Sequence, residues 1–303
     1  MAVDQRIDGR SRPSTVLGVA WRVLVVAVFN LAFERLLGLL VGTRPTVQGV
    51  VLGLATGAIY ALVLMPLARR LPYRRLTRIV ALFVPLYWIA YLSNLVEAGF
   101  NTTISRGTLV GGAIFFAIPA AVICVLIAWL FPAAPQEPPV PGFWESLGQR
   151  PLLSWVWRVA VVAVLYAVLL QLFGSMYGPL IAKYYNDPAY MAQTHTVPPP
   201  GYIAWPEETA RGVLFVLSLL PVLAVVRGRD WPAIAYAALY MTLIGVGLEA
   251  WQVFAMTTYP IGFRLGEGLD LTTDAVARGI LVAALLVLPA LHARRQKGAV
   301  ALA

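Results

Sequence analysis

Two pairs of residues in this chain set a carboxylate one helical turn from an amide: Asn94 with Glu97, and Glu249 with Gln252. Residues three apart share one face of a helix, so each pair would present its two groups together. Such a pair can bind a cation or relay protons. Both pairs fall within long apolar stretches. A carboxylate at the centre of a membrane helix costs about 2.5–3.5 kcal/mol, so it needs a partner or a task. Arginines stand toward the same end of neighbouring stretches: Arg35 beside Glu34, then Arg106, Arg211 and Arg278. Arginine stays charged when buried and offers five donors, which suits it to pair with carboxylates or to hold an anionic group. The expected site is Glu97, Glu249, Asn94 and Gln252, with Arg35, Arg106 and Arg278 as counter-charges for an unidentified small molecule or ion. The competing reading gives the same residues to salt bridges that pin a helical bundle.

Other chemistries lack their residues. The two histidines, His195 and His292, fall at opposite ends of the expected bundle, so they cannot share a metal. Intramembrane zinc proteases need two histidines one turn apart on a helix. Ser175 follows Gly174 on the same side as His195, but its surroundings do not form a nucleophile elbow. No glycine-rich phosphate loop is present, and nothing in the sequence calls for a cofactor. Cys124 lies inside an apolar stretch, where a thiol packs and does not react. Glu207-Glu208-Thr209-Ala210-Arg211 resembles the acidic-pair-plus-arginine motif of CAAX-type membrane proteases. Its arginine comes one residue early, however, and the two later histidines of that family are missing. The expectation here is acids at a helix N-terminus, favoured by its dipole.

The elements that must position these residues are eight apolar stretches, near 17–41, 47–68, 78–101, 107–131, 153–175, 209–227, 231–257 and 273–292. Apolar residues make up 60% of the 303 positions, charged residues 12%, and mean hydropathy is +0.77. A soluble domain would carry about twice that share of charge. A helix needs roughly 20 apolar residues to cross a hydrocarbon core of about 30 Å. The stretches are apolar on every face and do not alternate, which excludes a β-barrel. The expected fold is an all-α integral membrane protein of eight transmembrane helices, in the lipid bilayer of a cell membrane.

Most of the 23 lysines and arginines fall on one side of this arrangement, above all in the Arg69–Arg78 loop between two stretches. The positive-inside rule puts that side, and both termini, in the cytoplasm. The net charge of +9 results from the same rule. It gives no nucleic-acid surface, because no soluble domain presents it. Lysine occurs only at 183 and 297, a bias toward arginine that points to a GC-rich bacterial genome.

Matching punctuation divides the stretches into two parallel repeats of four. Trp21-Arg22-Val23 and Trp157-Arg158-Val159 open the first and fifth. Pro66 and Pro221 fall late in the second and sixth. Thr102-Thr103 and Thr257-Thr258 close the third and seventh, and Arg106-Gly107 and Arg278-Gly279 open the fourth and eighth. Residues 1–131 form the first half and 153–303 the second, joined by a proline-rich cytoplasmic linker over 132–152. Segment 176–208 has no counterpart and reads as an outer aromatic loop. Gly49, Gly53 and Gly57, like Gly107 and Gly111, are spaced for close helix packing, within the chain or against a second copy or membrane partner. The function that fits best is a small transporter with an outward polar site between the halves. Its rivals are a non-catalytic membrane subunit and a lipid-modifying enzyme.

Overall fold

A computed structural model describes residues 16–40, 44, 46–71, 73–133, 148, 151–195, 197, 199–223, 235, 238–240, 242, 253–254 and 259–287. All of its elements are helical. Helix α1 runs over Val16–Leu40, α2 over Val47–Arg70 and α3 over Arg75–Tyr87. A π-helical turn, Trp88–Leu92, leads from α3 into α4, Ser93–Asn101. Then come α5 (Arg106–Leu130), α6 (Leu152–Tyr185), α7 (Pro188–Thr194), α8 (Gly201–Leu223) and α9 (Ile261–Val282). The last continues as a second π turn, Ala283–Val287.

Local chemistry sets several of these boundaries. The Thr46 side chain accepts from the Gly49 amide at the start of α2, and Ser105 accepts from the Thr108 amide at the start of α5. Asp187 caps α7, with Pro188 in its first turn, and His195 ends it in a left-handed conformation.

Among the described residues, five segments are long and apolar enough to cross a membrane: α1, α2, α3 with α4, α5 and α6. Helices α8 and α9 are of similar length but interrupted by charge, the first by Glu207, Glu208 and Arg211, the second by a row of acids and arginines. The expected first four stretches agree with α1 to α5 within a few residues. The later boundaries differ. Helix α6 continues ten residues beyond the expected end at 175, with Pro179 accommodated inside it. Helix α8 begins at Gly201 and α9 at Ile261, each well before the expected start. Much of segment 176–208 is therefore helix and not loop. Most of the expected seventh stretch, most of the 132–152 linker and the chain termini lie outside the described residues.

The best-packed core joins α2, α3 and α5, where Leu64, Leu67, Leu82, Leu86, Ile123 and Ile127 are fully or almost fully buried. The Arg78 guanidinium crosses from α3 to donate to the Ala128 carbonyl of α5. Cys124 is buried in the same core. By contrast Leu24, Ile114, Trp129 and Val164 point outward and are about half exposed or more. An outer surface this apolar suits lipid as its solvent.

Gly49, Gly53 and Gly57 face α1. A Cβ on Gly57 would stand 2.7 Å from the Ala27 backbone, Gly53 lies against the Glu34 carboxylate, and Gly49 against Arg35. This stripe is covered within the chain, so a second copy or membrane partner there would have to displace α1. Gly111 instead faces open space, with nothing described within 4 Å of a Cβ. The π turn at Trp88–Leu92 widens the helix and rotates α4 relative to α3. Tyr91 meets the Tyr60 hydroxyl at 3.0 Å and stacks on Phe116, while Ser93, at the start of α4, accepts from Arg211 of α8.

Candidate functional site

Arg211, in the third turn of α8, is 5% exposed and has a partner for each guanidinium nitrogen. Its Nη2 lies 2.7 Å from Glu97 Oε2 of α4, and its Nη1 lies 2.6 Å from Glu208 Oε1. Its Nε donates to the Ser93 hydroxyl at 3.2 Å. Glu207 Oε1 is 3.7 Å from the same Nη1, close enough for attraction but not for a hydrogen bond. Glu207 and Glu208 are both buried. They are not first-turn acids held by a helix dipole, because the helix starts six residues earlier, at Gly201. Ion pairing with Arg211 takes the place of that reading.

A second arginine lies on α9. Glu267, Asp270, Asp274 and Arg278 recur along one face of that helix. Arg278 Nη2 is 2.6 Å from Asp274 Oδ2, and the guanidinium lies over the Tyr166 ring of α6 at 3.5 Å. A guanidinium against an aromatic face is held by the ring quadrupole. Tyr185, near the end of α6, donates to Glu267 Oε1 at 3.3 Å.

These side chains surround a cavity of about 240 Å³ at the meeting of α4, α6, α8 and α9. Four lining carboxylates, Glu97, Glu267, Asp270 and Asp274, face two lining arginines, Arg211 and Arg278. Negative charge is in excess on its wall. Asp270 Oδ1 and Asp274 Oδ1 are buried acceptors without a hydrogen-bond partner in the structure, and Arg278 Nε is a buried donor in the same condition. Unmet groups of this kind cost free energy unless something else meets them.

Beside the cavity Tyr184, Tyr185, Tyr190, Tyr259 and Phe263 pack ring against ring. Tyr190 belongs to the short helix α7, and burial pushes its phenol above the usual range, with Tyr259 and Glu267 adding to the shift. Two backbone hydrogen bonds fasten this region to the end of α4: Thr103 N to His195 O at 2.8 Å, and Val197 N to Asn101 O at 2.7 Å.

Of the residues expected to form a site, Asn94, Glu97 and Arg278 meet at this cavity. Arg35 does not line it and lies against Gly49. Arg106 is exposed at the first residue of α5, also outside the cavity wall. Glu249 and Gln252 lie outside the described residues. The cavity also holds Glu267, Asp270 and Asp274, which the sequence pattern does not single out. The first two precede the expected start of the eighth stretch at 273, and Asp274 falls at its edge. Their spacing of three and four is the signal that could have found them.

Compared with known proteins, the chain matches no family model, no curated protein and no solved structure.

Proposed function

We propose that this chain is a small membrane transporter of permease type, and that the carboxylate–arginine cavity is its ligand or ion site. One observation carries the reading: a buried, acid-rich cavity with unmet hydrogen-bonding groups, set among helices of an otherwise apolar bundle. Arg211 spends all three of its nitrogens on protein partners, although Glu207 and Glu208 beside it keep buried oxygens without a hydrogen-bond partner. Asp270, Asp274 and Arg278 line the cavity, and each has a buried polar atom without a hydrogen-bond partner.

The cavity lies between the proposed halves, with α4 from the first and α6, α8 and α9 from the second. A repeat of four helices draws support from packing. Ala27 and Asn30 of α1 close onto Gly57 of α2, and Ala163 and Tyr166 of α6 close onto Gly212 of α8. Ala27 and Ala163 stand equally far after Trp21 and Trp157, and Gly57 and Gly212 equally far before Pro66 and Pro221. The same contact at the same register is what duplication of a helical hairpin leaves behind. Eight spans result if α8, α9 and the 231–257 stretch also cross the bilayer. The arginine-rich Arg69–Arg78 loop then lies in the cytoplasm of a bacterial cell, and the cavity opens toward the outer face.

The test is flux through the purified chain in proteoliposomes loaded with a pH-reporting dye and challenged with Na⁺, K⁺ or a mixture of amines and amino acids. Protein-dependent ion or proton movement in the wild type, lost in Asp274→Asn, is the expected result. A membrane-inserted, monodisperse wild type no more permeable than empty vesicles under every challenge would refute the transport reading.

A further inference from the structure

The groups left unmet on the cavity wall define what would satisfy them. Asp274 is 3% exposed, lines the cavity, and has one carboxylate oxygen in an ion pair and the other without a hydrogen-bond partner. Asp270, one turn earlier on the same face of α9, also lines the cavity with an unpartnered buried oxygen. Arg211 cannot serve these acids, since its three nitrogens are engaged by Glu97, Glu208 and Ser93.

A bare metal ion is a poor match. It needs several oxygens converging on one point at about 2–2.6 Å. No group of three or more acidic, histidine or cysteine ligands converges in that way among the described residues. Acceptors set one turn apart on a helix suit directional N–H donors that reach each oxygen separately at about 2.7–2.9 Å. An ammonium group carries three such donors and a charge opposite to that of the wall.

Resting on the reading of this cavity as a ligand site, we infer that the cavity recognises a primary ammonium group, held by Asp270 and Asp274. Its size admits a small amine or the amino headgroup of a phospholipid, and both carry the same recognised end. Tyr166 does not form an aromatic cage for a quaternary ammonium, because Arg278 already covers its ring. Selection therefore falls on N–H donors and not on bulk or charge alone.

The experiment is calorimetric titration of the full chain in detergent with ethanolamine, tetramethylammonium chloride and potassium chloride. Ethanolamine binds saturably, and tetramethylammonium, which has no N–H, binds at least about tenfold more weakly, as does potassium. Asp274→Asn and Asp270→Asn each weaken ethanolamine binding by about tenfold or more. Asp270 is only half-buried, so its variant keeps the test open if Asp274→Asn does not fold. Absence of saturable ethanolamine binding, equal binding of tetramethylammonium or potassium, or unchanged affinity in a folded variant would overturn the inference. Dihexanoyl phosphatidylethanolamine separates the two sources: tighter binding than ethanolamine assigns the headgroup, weaker binding the free amine. Ethanolamine binding without any flux in vesicles would sink the transport reading alone. Flux of another solute without ethanolamine binding would sink the ammonium inference alone.

Discussion

Arg211 neutralises an acid on its own helix and another across the bundle, and it reaches Ser93 as well. Removing one member of a buried ion pair costs about 3–5 kcal/mol, because the partner charge is left uncompensated. Arg211→Met should therefore lower thermal stability in detergent by several kcal/mol, and adding Glu208→Gln should recover part of the loss. Arg211→Lys should fall between, since an ammonium cannot serve three partners with the fork of a guanidinium. At this scale the sequence is partly legible. Glu97, Asn94 and Arg278 stand out because a charged or amide side chain is conspicuous in an apolar stretch. Glu207 and Glu208 are just as visible but look like a helix end, since nothing local to the chain shows that α8 starts as early as Gly201. Asp270 and Asp274 escape notice because a charge-rich segment reads as loop until a packed neighbour turns its one-sided spacing into a buried face.

The helices meet through small residues, and contact geometry separates those that matter. Gly212 of α8 touches α6 so closely that a Cβ would lie 2.9 Å from the Ala163 backbone. Gly212→Leu forces the two helices apart and should cost about 1–3 kcal/mol or more, read as a fall in unfolding temperature. Gly111→Ala, which enters open space, should be neutral or stabilise by up to about 1 kcal/mol from helix propensity. Both glycines belong to apolar helices in the sequence, and Gly111 even has the small-residue spacing that Gly212 lacks. Spacing shows where a close approach is permitted, and only the neighbouring helix decides whether one occurs. Helix existence is legible for α1 to α5 because their apolar runs are long and uninterrupted. The starts of α8 and α9 are not, because charge that a buried cluster requires looks like solvent exposure in one dimension.

The described residues form a bundle of helices with an oily outer surface and a cluster of buried charges inside. The proposed sidedness rests on the charge of one short loop, Arg69–Arg78. Cys124 is buried, so single cysteines introduced elsewhere report without background from it. A membrane-impermeant maleimide on intact cells should label Thr103→Cys and should reach Tyr73→Cys only after permeabilisation. The reverse pattern would invert the orientation. The cavity at α4, α6, α8 and α9 is proposed to be a water-reachable site selective for positive charge. Asn94 lines that cavity, and Asn94→Cys tests the claim directly through its reaction with thiosulfonate reagents of opposite charge. The cationic aminoethyl reagent should modify Asn94→Cys at least about tenfold faster than the anionic sulfonatoethyl reagent, and ethanolamine should slow the reaction. A cysteine there that reacts with neither reagent, or with both at equal rates, would contradict the claim.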